Sequence, residues 1–528
     1  MAMTPQLQFI SACNVGDVGR VRAEFDGANA DVFLSSLDWT RGGDDGAAVV
    51  TRAPGRLDVM GGIADYSGSL VLQLPLREGC FAALRRRTGG AEGLGALHVT
   101  SRATDGAGRG ESINVPLESL VCSNGEGELV PISWEQWASL KSTWSAEQQW
   151  AAYVVGGLLV LMHEGHITPV RARPAGKECC LGDPTLLIGR EQDGDPTLLI
   201  GREQVEIVLQ SAVPEGKGVS SSAAVEVASL SAFAHGFGVQ TLIDDARELA
   251  LCAQRVENKA VGAPCGVMDQ MASATGQSGQ LMALVCQPAT VEGHMPLPAH
   301  LRLWGIDSGV RHSVGGADYG SVRTAAFMGR TLLSRTRASG PLSYAIHVTP
   351  SELDSGLINC LPEQLRGSDF LASEAQGHGD SATRIDAART YAVRACVRHP
   401  IMENWRVQLF SQLLAAPPST RQLQTLGELM FQSHASYSLV GLGSDATDDL
   451  VRRVRNVGEA RGLYGAKITG GGSGGTVCIL TDDSEQAAAA VREIAREYGE
   501  LHLGGVPARL FEGSSPGAAQ FGALRLEG

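Results

Sequence analysis

Residues 214–224 carry the side chains best suited to binding a phosphate. They read Pro-Glu-Gly-Lys-Gly-Val-Ser-Ser-Ser-Ala-Ala and precede a predicted helix over 223–235. Glycines let a backbone turn tightly and approach a ligand, and the free N–H groups of a helix N-terminus bind phosphate oxygens. The serine hydroxyls can also ligate magnesium. The spacing is not that of a Walker loop, which needs Gly-x-x-x-x-Gly-Lys-Ser/Thr. A Gly/Ser linker before an ordinary helix therefore remains the alternative.

Two further segments have the composition of turns that approach a ligand. Residues 48–52 form a predicted strand that ends in a turn at 53–56, Ala-Pro-Gly-Arg. Residues 464–480 contain Lys-Ile-Thr-Gly-Gly-Gly-Ser-Gly-Gly-Thr, a glycine-rich turn that leads into a predicted buried strand. Packing explains Lys467 as well as a ligand contact does.

The predicted elements around these segments alternate irregularly between strands and helices. A strand over 205–212 leads into the serine-rich segment, and a second helix over 241–260 ends at a Gly-Ala-Pro break. Residues 280–287 and 301–307 are predicted strands of one sheet. The absence of regular βαβ alternation favours an α+β architecture in two lobes. Further predictions are helical structure over 134–165 and an exposed loop over 363–380.

Composition excludes several classes of function. A chain of 528 residues suggests at least two domains, and the net charge of −14 argues against a nucleic-acid partner. The longest apolar run is about half of what spans a bilayer, so no membrane partner is expected. The 11 cysteines form no Cys-x-x-Cys pair, which favours reduced thiols in the cytoplasm rather than a zinc site.

One stretch of the sequence is duplicated without change. Residues 182–192, Gly-Asp-Pro-Thr-Leu-Leu-Ile-Gly-Arg-Glu-Gln, occur again at 194–204. Two copies are too few for a solenoid. We expect an insertion in a surface loop, where extra length costs little.

In their order along the chain, the three segments at 53–56, 214–224 and 467–476 resemble the signature motifs of the galactokinase–homoserine kinase–mevalonate kinase–phosphomevalonate kinase (GHMP) superfamily. Within it the chain is most similar to the plant-type L-arabinokinases, through the stretches at 56–68 and 304–319.

This resemblance implies a two-lobed α+β GHMP kinase fold with the active site in the cleft between the lobes. The N-terminal lobe, like domain 2 of ribosomal protein S5, would span residues 49–310. A ferredoxin-like C-terminal lobe would span 311–528, and residues 1–48 would form an N-terminal extension.

The resemblance also implies ATP and Mg²⁺ as cofactors. Magnesium ligation is assigned to Ser221 and Glu257, a pair of hard oxygen ligands. Lys217 is a less certain phosphate contact. The residues implied to bind the nucleotide are Glu215, Gly216, Lys217, Gly218, Val219, Ser220, Ser221, Ser222, Ala223, Gly471 and Gly472.

Asp269 and Arg56 match the two residues that act at the reacting hydroxyl in the superfamily. Asp269 lies in Cys-Gly-Val-Met-Asp-Gln-Met at 265–271, and its carboxylate would accept the proton of a sugar's anomeric hydroxyl. Arg56 would hold that carboxylate ionised and offset charge in the transition state. Each residue alone would more often be a surface charge or a helix cap, but three ordered motifs favour the catalytic interpretation.

The implied sugar pocket differs from that of galactokinases at one end. Galactokinases have Glu-His-Thr-Asp-Tyr after the first motif, and its glutamate and histidine approach C6 of the sugar. Here the run is Gly-Ile-Ala-Asp-Tyr, so Gly62 and Ile63 offer C6 no polar group, while Asp65 is kept. Such a pocket suits L-arabinopyranose, which lacks C6; an ordinary core residue is the alternative for Ile63. Gly266 and Tyr319 match further residues beside the sugar.

We therefore expect an ATP-dependent sugar 1-kinase that converts L-arabinose to β-L-arabinose 1-phosphate and ADP. The alternatives are a galactokinase or a galacturonokinase-like enzyme and, from a different class, a non-catalytic sugar sensor on the same fold. The expected partners are the small-molecule sugar and ATP.

Overall fold

The computed structural model describes residues 7–11, 33, 37, 48–88, 95–103, 112–171, 196–311, 317–337 and 340–526. Most of the predicted N-terminal extension and the first copy of the duplicated segment lie outside these residues. The strands are β1 (Leu7–Ser11), β2 (Ala48–Met60), β3 (Leu70–Thr88), β4 (Ala96–Ala103), β5 (Ser112–Pro116), β6 (Val121–Ser123), β7 (Leu129–Pro131), β8 (Thr168–Arg171), β9 (Thr197–Ile200), β10 (Glu203–Ser211), β11 (Gln280–Val285), β12 (Thr290–Pro296), β13 (Leu301–Asp307), β14 (Leu365–Arg366), β15 (Thr390–Tyr391), β16 (Leu463–Ile468), β17 (Thr476–Asp482), β18 (Leu510–Glu512) and β19 (Ala523–Leu526). The α-helices are α1 (Trp134–Lys141), α2 (Ala152–His163), α3 (Ser221–Phe237), α4 (Gln240–Asp244), α5 (Ala246–Arg255), α6 (Met268–Thr275), α7 (Ala317–Thr336), α8 (Pro350–Asp354), α9 (Gly367–Ser373), α10 (Val393–Leu414), α11 (Thr420–Leu439), α12 (Asp445–Val457), α13 (Glu485–His502) and α14 (Ala518–Phe521). No helix among the described residues has the length and apolar character needed to cross a bilayer.

A large mixed sheet forms the first layer of the fold. Its strands run in the order β1-β19-β2-β3-β10-β4-β5, and β11 and β12 extend it from the first half of β3. Among the described strand pairs of this sheet, only β10 and β4 run parallel, and the others are antiparallel. Helix α3 packs across β2 and β3, which places the serine-rich segment at one end of the sheet.

The predicted turn at 53–56 is wrong, because β2 continues through it. The pairing of β2 with β3 only shifts register between Pro54 and Arg56, which is the signature of a β-bulge. A Cβ on Gly55 would lie 2.6 Å from the carbonyl oxygen of Val219. Glycine at this position therefore lets the serine-rich segment pack directly against the strand.

A smaller antiparallel sheet forms the second layer, in the order β16-β17-β13-β18. The prediction that residues 301–307 share a sheet with 280–287 is wrong, because β13 pairs with β17 and β18, whereas β11 pairs with β3 and β12. The predicted glycine-rich turn and buried strand are confirmed as the β16–β17 connection and β17.

The chain crosses between the two sheets more than once. Strand β13 lies before residue 310 yet belongs to the smaller sheet, and β19 lies at the C-terminus yet pairs with β2 in the larger one. The boundary at 310 between the lobes stays a prediction.

Three other local expectations need correction. The helical region 134–165 is interrupted, since a 3-10 segment separates α1 from α2. The predicted helix 241–260 is divided into α4, α5 and a π-helix, Val256–Val261. The polar stretch 363–380 is only partly an exposed loop, because it contains α9 and its His378 side chain is buried.

The second copy of the duplicated segment does not lie in a surface loop. Its residues form β9 and the start of β10, and Leu198 and Glu203 are fully buried. Glu203 accepts hydrogen bonds from the backbone N–H of Leu199 and from Arg86. This copy is therefore part of the folded lobe, because its apolar and charged side chains have specific partners.

Candidate active site

The three motifs line one cavity of about 450 Å³. Most of the residues predicted for the site contribute to its wall: Arg56, Ile63, Asp65, Glu215, Gly216, Lys217, Gly218, Ser220, Ser221, Ser222, Glu257, Gly266, Asp269, Tyr319 and Gly471. Four predicted site residues lie behind the wall instead, namely Gly62, Val219, Ala223 and Gly472.

The serine-rich segment has the geometry of an anion cradle. Gly216 and Gly218 have φ of 66° and 68°, and Ser220 has φ of 60°, a conformation that non-glycine residues rarely adopt. The strained Ser220 caps the 17-residue helix α3, and its buried hydroxyl has no hydrogen-bond partner among the described residues. A helix N-terminus with a free hydroxyl beside it is suited to a phosphate.

The β16–β17 turn supports this cradle from behind. The Thr476 hydroxyl donates to the carbonyl oxygen of Lys217 at 2.8 Å, and a Cβ on Gly218 would lie 2.9 Å from the carbonyl oxygen of Thr469. Lys217 itself contacts the cavity, and its Nζ lies 3.1 Å from Oδ1 of Asp307. The close approach of two glycine-rich backbones explains why both segments are needed.

Arg56 and Asp269 form an ion pair at the cavity wall. Nε and Nη2 of Arg56 donate to Oδ1 of Asp269 at 3.0 and 2.7 Å, and Nη1 donates to the carbonyl oxygen of Gly218 at 2.7 Å. The arginine side chain is 2 % exposed, whereas that of Asp269 is 27 % exposed. Since both bonds go to Oδ1, the other oxygen of Asp269 keeps its capacity to accept a substrate proton.

Glu257 lies in the π-helix that follows α5, a type of distortion frequent at functional sites. Burial and the nearby charge of Asp269 raise its pKa to about 7, against the lowering effect of a hydrogen bond from Ser222. The Gln270 amide bridges Glu257 and the fully buried Glu226, at 2.6 and 3.1 Å. A buried carboxylate beside serine hydroxyls has the oxygen donors that Mg²⁺ prefers. Ser222 contacts Glu257, while Ser221 lines the same cavity.

The opposite end of the cavity is built from the loop after β2. Ile63, a β-branched residue, has φ of 52°, and such strain is typical of binding sites. A Cβ on Gly266 would lie 1.7 Å from Oδ2 of Asp65, so glycine makes room for that carboxylate. Oδ1 of Asp65 is buried without a hydrogen-bond partner among the described residues. Burial and Asp269 raise the pKa of Asp65 to about 6.

Gly62 is not among the residues that line the cavity, and its contact with substrate stays a prediction. A Cβ there would lie 1.7 Å from the Tyr437 hydroxyl and 2.2 Å from Oδ2 of Asp58. Asp58 is paired with Lys467 at 2.8 Å, and both side chains are fully buried. Residue 62 is therefore glycine because of this buried pair, and Lys467 serves packing rather than ligand binding.

Side chains of helix α10 bind the backbone of the same loop. The ring of His399 lies 3.0 Å from the carbonyl oxygen of Gly62 through Nε2 and 2.8 Å from the Ser436 hydroxyl through Nδ1. Burial lowers the pKa of His399 to about 4, so the ring is neutral, with Nε2 donating. The N–H of Gly61 donates to Glu403 at 3.1 Å.

The sequence analysis missed the residues at the far end of the cradle. Trp150, in the 3-10 segment before α2, and Tyr153, at the start of α2, line the cavity together with Ser101 and Leu209, and the indole N–H of Trp150 is buried without a hydrogen-bond partner among the described residues. The three-residue spacing of Trp150 and Tyr153 was a usable signal, since it puts both rings on one helix face. Aromatic rings beside a phosphate cradle suit a nucleotide base.

A second cluster of possible metal ligands lies outside this cavity. Glu164, His166, Glu248 and Cys252 place their ligand atoms within 4.8 Å of one another. The Arg255 guanidinium contacts both carboxylates and the thiol. It supplies the positive charge that balances the cluster.

Comparison with known proteins agrees with this geometry. Residues 190–277 match the family model of the GHMP kinases N terminal domain, and residues 410–501 match the GHMP kinases C terminal model. The chain is 41% identical to the L-arabinokinase of Arabidopsis thaliana, over 90% of this chain and 46% of that protein. It is 31% identical to a galactokinase of Chloroflexus aurantiacus, over 53% of this chain and 62% of that one. The chain thus spans about half the length of the curated relatives it matches.

A solved structure shows the same fold. The crystal structure of Lactococcus lactis galactokinase complexed with galactose superimposes with a TM-score of 0.60 at 18% identity, covering 93% of this chain and 98% of that one. The predicted two-lobed GHMP kinase fold is confirmed. Both family models match in the expected order, and the chain has the GHMP kinase fold with its N- and C-terminal domains, which carries all three motifs around one cavity.

Proposed function

We propose that the chain is an ATP-dependent sugar 1-kinase that converts L-arabinose to β-L-arabinose 1-phosphate and ADP. The observation that carries the proposal is the Arg56–Asp269 pair, which lies on one cavity with the anion cradle of residues 215–222. The similarity to a plant L-arabinokinase over most of this chain supports the choice of sugar.

The chemistry requires little beyond positioning and charge. Asp269 accepts the proton of the anomeric hydroxyl while that oxygen forms a bond to the γ-phosphorus and the bond to ADP breaks. Arg56 keeps the carboxylate ionised and offsets developing negative charge. Glu257 with Ser221 and Ser222 would hold Mg²⁺, which supplies charge neutralisation at the phosphates when bound.

The wall at the sugar end supports a pentose. Ile63 is the side chain of the Gly-Ile-Ala-Asp-Tyr run that reaches the cavity before Asp65, and it is apolar. A sugar hydroxymethyl group would lose its hydrogen bonds there without a replacement, whereas a ring without C6 loses none. Asp65 would accept hydroxyls of the ring, beside Gly266 and Tyr319.

Several finer assignments belong to the same proposal. Gly216, Gly218 and Ser220 would contact the ATP phosphates, and Gly471 would line the turn behind them. Residues 49–310 and 311–528 would form the two lobes. Reduced thiols would place the protein in the cytoplasm.

A coupled assay of ADP release tests the proposal with Mg-ATP and L-arabinose, D-galactose or D-galacturonate. We expect the largest kcat/KM for L-arabinose. A clear preference for D-galactose would contradict the argument from Ile63 and indicate a galactokinase. Sugar binding without turnover of any of the three would indicate a sensor.

A further inference from the structure

Arg323 lies behind the sugar end of the cavity and takes no part in the chemistry above. It follows Tyr319 by one turn of α7, and its side chain is 9 % exposed. Nε and Nη2 donate to the two carboxylate oxygens of Asp380 at 2.8 and 2.9 Å. Nη1 is buried without a hydrogen-bond partner among the described residues. This bidentate geometry fixes the plane of the guanidinium.

The guanidinium is also packed against the loop that carries Asp65. It lies 5.5 Å from the ring centroid of Tyr66, the next residue along the chain. Tyr66 meets the ring of Tyr319 edge to face, with centroids 6.2 Å apart. The Arg323 side chain therefore links α7, the helix that also carries Tyr319, to the loop that carries Asp65. It does not itself line the cavity.

Asp65 needs a positive charge nearby, because it shares its surroundings with other acids. Burial raises its pKa to about 6, and the charges of Asp269 and Asp58 act in the same direction, whereas Arg323 lowers it. Among the described side chains that act most strongly on Asp65, Arg323 alone is positive. Other titratable groups that face Asp65 are Tyr66, Tyr319, Tyr437 and Cys286.

We propose that Arg323, fixed in place by Asp380, is a positioning residue for sugar recognition: its charge behind Tyr66 keeps the Asp65 carboxylate ionised, so that Asp65 accepts two neighbouring hydroxyls of a pyranose. This inference rests on the proposed sugar 1-kinase function and adds a determinant of sugar affinity. Asp380, which fixes Arg323, lies in the polar stretch that precedes β15, 57 residues beyond Arg323 in sequence.

The test measures the sugar KM of Arg323→Met from pH 6 to 9.5, with the ATP KM recorded alongside. A neighbouring arginine lowers the pKa of an aspartate by roughly 1–3 units. Its removal should therefore shift the pH at which the sugar KM changes upward by a similar amount. We expect the sugar KM to rise about tenfold at pH 7 and to approach the wild-type value at high pH. A KM ratio that stays constant over the whole range would overturn the inference.

Two variants separate charge from structure. Arg323→Lys keeps the charge but loses the bidentate pair, so we expect its pH profile to stay near that of the wild type even if the protein is less stable. If the lysine variant behaves like Arg323→Met, charge is not the cause. Arg330→Met is the matched control, because Arg330 lies on the same helix and donates to the carbonyl oxygens of Ser343 and His378. It should leave the sugar KM unchanged at every pH, and an equal rise there would refute a specific role for Arg323.

A double-mutant cycle tests the route through Asp65. In an Asp65→Asn background, Arg323→Met should change the sugar KM less than about twofold, since no carboxylate remains to be ionised. The same factor in both backgrounds would show that Arg323 acts independently. Wild-type turnover of the sugar panel is measured first: its absence defeats the proposed function, whereas normal wild-type turnover with an unaltered Arg323→Met variant defeats this inference alone.

Discussion

Two ion pairs in this molecule each have a buried cation from a signature motif, and they differ in the exposure of the acid. Lys467 and Asp58 are both fully enclosed, and Asp58 is further bonded to Gln73 and to the hydroxyl of Thr469. Arg56 is enclosed as well, but its partner Asp269 is 27 % exposed at the cavity. Both cations occur in motifs, so the motif alone does not distinguish them.

The difference shows what separates a structural pair from a working one. Oδ1 of Asp58 accepts from Gln73 and Oδ2 accepts from Lys467, and because the side chain is fully buried neither oxygen faces a ligand. Asp269 receives both bonds from Arg56 on a single oxygen. We infer that the exposed acid partner marks the catalytic pair, and four predictions test this comparison.

The largest expected effect is the loss of turnover in Asp269→Asn. Without a carboxylate to accept the anomeric proton, kcat should fall by roughly 10²–10⁴. Titration calorimetry should still show sugar binding close to that of the wild type, because the amide retains the shape of the side chain. Residual turnover near the wild-type rate would remove Asp269 from its assigned role.

The enclosed pair should affect stability instead. Lys467→Met leaves Asp58 buried without its counter-charge, which costs about 3–5 kcal/mol in the free energy of unfolding. Denaturant unfolding measures this loss, and the folded fraction should keep the wild-type sugar KM. Adding Asp58→Asn should recover part of the stability, and a selective loss of turnover in the single variant would contradict the division.

A buried neutral group extends the comparison to pH. Burial lowers the pKa of His399 to about 4. Between pH 6.5 and pH 4 the ring therefore stays neutral in the native state, whereas in the unfolded chain it binds a proton. The unfolding free energy contributed by this ring is therefore present above pH 6.5 and is lost as the pH falls toward 4. Thermal unfolding of His399→Gln should show a weaker decline over that range than the wild type. Parallel curves would mean that the ring is protonated in the native state.

The smallest effect is expected at the Lys217–Asp307 pair beside the cradle, whose side chains are 15 % and 11 % exposed. Asp307 pairs with Lys217, and Asp307→Asn removes one negative charge near the ATP phosphates while keeping a hydrogen-bond acceptor. The KM for ATP should fall about twofold, because the charge that is removed repels the phosphates but is already largely compensated by Lys217. A rise in that KM would show that the carboxylate is needed to position Lys217.

Local pattern predicted the elements around the cradle well. The strand before it and the helix after it are confirmed as β10 and α3, since periodicity and glycine placement act over a few residues. The convergence of residues 56, 217 and 269 on one cavity came from the family resemblance, because spacing along the chain says nothing about contacts over hundreds of residues.

The features that the sequence did not predict have the same physical cause, since each depends on contacts between residues far apart in the chain. The surroundings of Gly62 could not be predicted, because they depend on Tyr437, which reaches Asp58 across 379 positions of sequence. Strand β13 was recognised as a strand, yet its pattern could not name β17 as its partner. Arg323 gave no local signal, because its role depends on Asp380 from a distant stretch.

The hydrogen bonds from α10 to the loop after β2 have a consequence for protein engineering. In that loop, His399 and Glu403 bond main-chain atoms, the carbonyl of Gly62 and the N–H of Gly61. The scaffold thus fixes the backbone just before residue 63 through atoms that every residue has, and libraries randomised at that single codon would show how far its buried side chain sets the sugar preference.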